Sequence, residues 1–288
     1  MSQGTGVAYR RVILELAHGA SDPVTLDAAA RFAHLLDLEL HGFFVEDEAL
    51  LALADLPFAR EIRMPAYRWN PIDPGRLADE LRQEAQLVRR RLDAVVQALG
   101  VPNAFEVVRG DPASWLAEQS GETDIVVIAA PATTGADLSY TIARVHAAAH
   151  RAEAAVLLLP PRSQQQSGIV VAVLAEASDP SLAIAARIAE AAGERLLVLV
   201  PASTEAEQSV AEWAANRGIG ARMLTVRALP GLQPDNIIAA LSRQRVRLIV
   251  MTRAAGPANG LEAASRIGMA CNAAVLLAAP GAGQTSKP

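Results

Sequence analysis

A chain of 288 residues, 51% of them hydrophobic, is long enough for two domains of ordinary size, each able to bury a core without covalent staples. A net charge of −5 leaves no overall basic field to draw in a phosphate backbone, and the single cysteine, Cys271, excludes an intrachain disulfide and a thiolate-rich metal centre. The one lysine, Lys287, stands in the C-terminal tail, which removes both a phosphate-loop lysine and a Schiff-base amine from the body of the protein.

No apolar run reaches the roughly 18 to 20 residues that cross a bilayer, and the first residues carry no apolar core behind a basic start, so a cytoplasmic protein is expected. Along the chain, short apolar runs alternate with helical patterns, the rhythm of a parallel sheet with helices on both faces. In the first half the strands are expected at Val12–Leu16, Leu38–Val45, Phe105–Val108, Ile125–Ala130 and Ala154–Leu159, most of them continuously apolar as two-sided burial requires. Helices are expected over Thr25–Leu36, Arg76–Leu99, Pro112–Gln119 and Leu138–His150. The second of these carries Leu77, Leu81, Ala85, Val88, Leu92, Val95 and Leu99 on one stripe. Its basic run Arg89, Arg90 and Arg91 lies among Glu80, Glu84 and Asp93 and reads as a solvated face.

The second half repeats the order with strands at Ile169–Leu174, Leu196–Val200, Arg222–Val226, Leu248–Met251 and Ala273–Ala278. Ala20-Ser21-Asp22-Pro23 recurs as Ala177-Ser178-Asp179-Pro180, and Ala155-Val156-Leu157-Leu158 as Ala274-Val275-Leu276-Leu277. A small polar residue before a proline caps a helix and fixes its first turn, so both copies start their first helix alike. Matching Val45 to Val200 and Val108 to Val226 gives offsets of 155 and 118, so the first copy carries 37 extra residues within about 46–82. In that insertion Ala49, Leu50, Leu51, Leu53, Ala54, Leu56 and Phe58 form a helix candidate apolar nearly all round, which is expected to be buried. Pro57, Pro65, Pro71 and Pro74 then bracket Tyr67 and Trp69 in an irregular ordered arm, either a lid over a ligand cleft or a surface for the other copy or a second chain.

Leu38-Glu39-Leu40-His41-Gly42-Phe43-Phe44-Val45, Val108-Arg109-Gly110-Asp111-Pro112, Asp124-Ile125-Val126-Val127 and the closing runs Ala154–Pro160 and Asn272–Leu277 together resemble the universal stress protein family, in two tandem units over residues 10 to 280. The resemblance implies two tandem five-stranded parallel sheets, each in the order 3-2-1-4-5, with helices on both faces, a Rossmann-like arrangement of the adenine nucleotide alpha hydrolase kind. It also implies pairing of the two units through their fifth strands, here within one chain. The units are expected at 8–161 and 168–280, with 162–167 as linker and 281–288 as a tail that has nothing to pack.

Many members of that family hold ATP with Gly-x-x-Gly-x9-Gly-Ser/Thr after strand four, where backbone N–H groups close on phosphate oxygens. The first copy has Pro131-Ala132-Thr133-Thr134-Gly135 and no further glycine before Gly168; the second has Gly256, Gly260 and Gly268 at the wrong spacings, with Met269 in place of a hydroxyl. At the end of strand one, where the family has an aspartate and a glycine, stand His18 and Gly19 in the first copy and Glu176 and Ala177 in the second. Val45 matches the apolar residue that lies beside the adenine in ATP-binding members, and a valine there is equally a core residue.

The candidate binding residues are therefore His18, Gly19, Val45, Thr133, Thr134 and Gly135 in the first copy, and Glu176, Gly256 and Gly260 in the second. His18 sits where ligands approach an open α/β sheet, or it caps a loop. His146 and His150 are spaced i, i+4, but two imidazoles without a third ligand fixed by sequence do not make a metal site. No G-x-S-x-G elbow supports a hydrolase built on Ser21, and Cys271 reads as a small buried residue.

These readings point to a non-enzymatic bacterial stress-response or regulatory binding module with no cofactor, no nucleic acid and no membrane, acting through a protein partner or a small ligand. Its two units form a pseudo-dimer, and a homodimer of chains is a further state. The alternative is an adenine-nucleotide-binding protein that holds ATP or AMP in the divergent loops 130–135 and 252–260, with weak hydrolysis.

Overall fold

In a computed structural model of the chain the described residues are 9–16, 23–46, 48–63, 67–129, 145, 147–160, 167–176, 179–220, 222–253 and 257–279. The first half runs β1 (Arg11–Glu15), α1 (Pro23–Leu36), β2 (Glu39–Glu46), α2 (Glu48–Ala54), β3 (Arg60–Arg63), β4 (Arg68–Pro71), α3 (Pro74–Leu99), β5 (Asn103–Arg109), α4 (Pro112–Gln119), β6 (Asp124–Ala129) and β7 (Ala155–Leu159). The second runs β8 (Ile169–Val173), α5 (Pro180–Ala192), β9 (Leu196–Pro201), α6 (Thr204–Asn216), β10 (Leu224–Leu229), α7 (Pro234–Leu241), β11 (Val246–Thr252), α8 (Pro257–Cys271) and β12 (Ala274–Ala278).

Ten of these strands form one sheet in the order β10-β9-β8-β11-β12-β7-β6-β1-β2-β5. Each half contributes the expected 3-2-1-4-5 order, but the expectation of two separate five-stranded sheets is corrected. β7 and β12 pair antiparallel, Leu157 opposite Leu276, and close the two halves into a single ten-stranded sheet whose other pairings are parallel. The physical reason lies in the strands themselves: every residue of β7 and β12 is buried, so neither could stand at an open edge.

The pleat sorts the core into two layers. Val12, Leu14, Leu40, Phe44, Val198 and Val250 pack under α1, α3, α5 and α6, whereas Ile13, Phe43, Val126, Val171 and Ile249 pack under α4, α7, α8 and the helical residues 147–151. Local chemistry starts the helices where the sequence places them. Asp73, Asp111 and Asp179 each cap a helix whose first residue is a proline, and the Asp73 carboxylate accepts from the Gly75 and Arg76 amides at 3.0 and 3.2 Å. On α3 the buried stripe is Leu81, Ala85, Val88, Leu92 and Val96, close to the predicted one. At the amino ends of β1 and β6, Arg11 grips Asp124 with two bonds of 2.8 and 3.0 Å.

Register refines the repeat. Leu40 and Leu196 occupy the same place against β1 and β8, an offset of 156, and Val108 matches Leu229 at 121, so the first half is 35 residues longer here rather than 37. β10 accordingly starts later than expected, at Leu224: it is an edge strand of alternating exposure, without the continuous apolar signal of a central one.

The insertion departs most from its reading. It forms α2 and a two-stranded antiparallel hairpin, β3 with β4, in which Ile62 faces Trp69. α2 packs on α3 and buries Ala54, and Glu61 pairs with Arg76 of α3. The expected burial of the whole apolar run fails: Leu53, Leu56 and Phe58 are exposed, Phe58 by 74%, as are Ile62, Tyr67 and Trp69. A seven-residue helix lying on one neighbour has only one face to hide.

Candidate functional site

In an open parallel sheet, ligands enter beyond the carboxyl ends of the strands where the strand order reverses. β1 and β8 are those turning points, since each is flanked by the next strand of its half on one side and by the fourth strand on the other.

In the first half the side chain that occupies the turning point is one the sequence reading passed over. Glu15 ends β1 on the same sheet face as Ile13, Val45 and Ile128, beside the start of α4. Burial pushes its carboxyl up to about 7, and the charge of Asp111 adds to the rise. Asp111 is held at the head of α4, its Oδ2 accepting from the Ser114 amide and hydroxyl, each at 2.9 Å. Gly110 makes that approach with φ 131°, a conformation that L side chains rarely adopt. Trp115 of α4 stacks on Phe43 with ring centroids 4.2 Å apart, which seats the helix on the sheet. Arg109 closes the outer rim by donating to Glu46 at 3.1 Å. The signal for Glu15 was present in the sequence: a lone acid inside the apolar run Val12-Ile13-Leu14-Glu15-Leu16, at its outgoing end.

The second half is built differently. Val173 stands where Glu15 does, and the gap between β8 and β11 is stitched by polar groups. Asp179 Oδ1 accepts from the Ser181 amide at 2.9 Å and from the Thr252 hydroxyl at 2.5 Å, and its Oδ2 accepts from the Ala175 amide at 3.3 Å. The Ser181 and Thr252 hydroxyls lie 2.9 Å apart. In the first half the sequence repeat matches Val24 to Ser181 and the register matches Ala129 to Thr252, so neither position carries a hydroxyl there.

Of the residues singled out from sequence, Val45 is buried in the core under α4 and pairs with Val108. Glu176 is exposed, and Gly260 is buried in the first turn of α8. These three are not brought together. His18, Gly19, Thr133, Thr134, Gly135 and Gly256 lie outside the described residues, as does His146. Among the described residues no group of three or more His, Cys, Asp or Glu side chains could hold a metal ion. Burial pushes the Cys271 thiol up, away from the reactive thiolate.

No family model matches the chain, and no curated protein matches it in sequence. Among solved structures, a universal stress protein from Archaeoglobus fulgidus DSM 4304 superimposes with a TM-score of 0.65 over 93% of this chain and 96% of that one, at 14% identity. This is the universal stress protein fold. A functionally unknown protein from Pseudomonas aeruginosa PAO1 is similar, with a TM-score of 0.57, 14% identity, and coverage of 95% of this chain and 93% of that one. So is the cytoplasmic domain of a prokaryotic cation chloride cotransporter, with a TM-score of 0.57, 11% identity, and coverage of 96% and 97%. At such identities the likeness to universal stress proteins describes architecture, and function has to be argued from the site. No helix among the described residues is long and apolar enough to cross a membrane.

Proposed function

We propose that the chain is a non-enzymatic regulatory binding module, built from two universal stress protein-like units at residues 8–161 and 168–280, that does not hold ATP in a glycine cradle. The observation that carries this reading is the unequal pair of turning points. The second is bridged by the Asp179–Ser181–Thr252 bonds, and the first presents the Glu15 carboxyl with Asp111 behind it. Two acids are poor company for a triphosphate, whose recognition needs backbone amides and positive charge. They suit a small neutral or cationic ligand that donates hydrogen bonds. A fold neighbour that forms the cytoplasmic domain of a cation chloride cotransporter supports a modular use of the architecture.

Native mass spectrometry of freshly purified protein tests the reading. We expect no adenine nucleotide to be retained, and no shift of the melting temperature with ATP, ADP or AMP at millimolar concentration. Retained nucleotide, or a saturable shift, overturns it.

A further inference from the structure

Of the ten large hydrophobic side chains exposed among the described residues, six stand between Leu53 and Trp69. Single apolar residues are normal on a surface, but a cluster of them marks a contact. The hairpin orients two of the six. Glu61 and Asn70 oppose one another on the side turned to α3, where Glu61 pairs with Arg76. Ile62 and Trp69, next to them in each strand, face outward, and Arg60 lies two residues before Ile62 on that same side.

The backbone leaves one edge of the hairpin open. The Ile72 amide donates to the Ala59 carbonyl at 3.3 Å, so the opposed pair Ala59–Ile72 is hydrogen-bonded. Bonded and unbonded pairs alternate in an antiparallel ladder, which makes Arg60–Pro71 and Ile62–Trp69 the unbonded ones, their backbone polar groups turned away from each other. On the β4 side that edge is blunted, because Pro71 has no N–H. On the β3 side Arg60 and Ile62 each present an N–H and a C=O, and among the described residues nothing takes them up. A two-stranded sheet with an intact open edge is a template for a third strand.

We propose that the open edge of β3 binds an extended, acidic segment of another protein as a third strand. Main-chain bonds to Arg60 and Ile62 hold it, an apolar side chain opposite Ile62 covers the Ile62–Trp69 pair, and an acidic side chain opposite Arg60 answers that cation. Charge decides the occupant. Arg60 and Arg68 are exposed, and among the described residues neither meets a carboxylate, whereas Glu61 is already committed to Arg76. A second copy is a poor occupant, since each arm brings Arg60, Arg63 and Arg68 against Glu61 alone. A nucleic acid or an anionic membrane meets the field of the whole chain, whose net charge of −5 repels it, while a short segment meets only the arm. The arm lies on the α3 side of the sheet and Glu15 on the α4 side, so this site does not depend on what the acidic mouth holds.

The test titrates the full chain into a labelled peptide of repeated Val-Thr-Glu-Thr, which sets valine and glutamate alternately on one face, and follows fluorescence anisotropy. Saturable binding that weakens with added salt is expected, and the same peptide with lysine for glutamate should bind about tenfold more weakly. Ile62→Pro removes one edge N–H without touching a ladder bond and should abolish binding. Should that variant disturb the hairpin, Arg60→Glu keeps the proposal open to refutation, because it should turn the preference toward the lysine peptide. No saturable binding of the glutamate peptide, equal binding of the two peptides, or binding unchanged in both variants overturns the proposal. So does tighter binding of an oligothymidylate or of phosphatidylserine vesicles than of the peptide, or dimerisation of the chain that Ile62→Pro abolishes.

Discussion

Thr252, the last residue of β11, donates its hydroxyl to the carboxylate of Asp179, the residue that caps α5 seventy-three positions earlier. A strand end and a helix start are thereby bonded across the very gap that the fold leaves open for ligands. The same carboxylate holds the Ser181 and Ala175 amides, so it serves as cap and as cross-link at once.

Thr252→Val keeps the shape and removes the donor. The loss of that bond beside a buried carboxylate should cost about 1–2 kcal/mol. Asp179→Ala removes the cap as well and should cost more. Urea unfolding with the slope unchanged is the measurement, and a midpoint equal to wild type for Thr252→Val would show that the stitch contributes nothing.

Glu15 makes stability depend on pH in a direction opposite to that of a salt-bridged acid. Its carboxyl titrates near 7 in the folded chain against an ordinary 4.5, so between those values the unfolded chain gives up its proton while the folded chain retains it. The folded state therefore loses ground as pH rises from about 4.5 to 7, by roughly 3 kcal/mol at most, and the loss is complete above 7. Glu15→Gln should gain stability relative to wild type at pH 8 but not at pH 4. Equal differences at both pH values would rule out a buried, proton-holding Glu15.

Gly168 turns the chain into β8 with φ 140°, and a Cβ there would meet the Arg245 carbonyl oxygen at 2.4 Å. Backbone cannot step aside as a side chain can. Gly168→Ala should therefore lower the thermal midpoint by several degrees, a cost of about 1–3 kcal/mol. Gly100→Ala, which meets nothing within 4 Å but keeps a left-handed turn, should cost less.

On the arm, Phe58 and Trp69 are 74% and 63% exposed. Phe58→Ser and Trp69→Ser should each change stability by less than about 0.5 kcal/mol and reduce the binding of a hydrophobic dye. A large drop in melting temperature would place those rings inside a core.

How much of this was legible follows from what each signal measures. Continuous apolar runs such as Val156-Leu157-Leu158 and Val170-Val171-Ala172 announced strands covered on both faces, and the repeated Asp-Pro step announced where helices begin. Both are local, and both hold. The joining of the halves into one sheet depends on β7 meeting β12, a contact that no periodicity encodes. For the arm, hydrophobic content was mistaken for burial: counting Leu53, Leu56 and Phe58 says nothing about whether a neighbour exists to cover them. The hairpin went unseen because its strands are four residues each, rich in arginine and flanked by prolines. Glu15 shows the same limit in polar form. A single charged residue beside an apolar run looks like a strand end, and only the assembled molecule shows what surrounds it.

The antiparallel meeting of β7 and β12 also decides how this protein can be addressed from outside. Because the halves run head to tail across that joint, their two mouths open on opposite rims of the slab. A single flat partner can therefore cover one mouth or the other, never both.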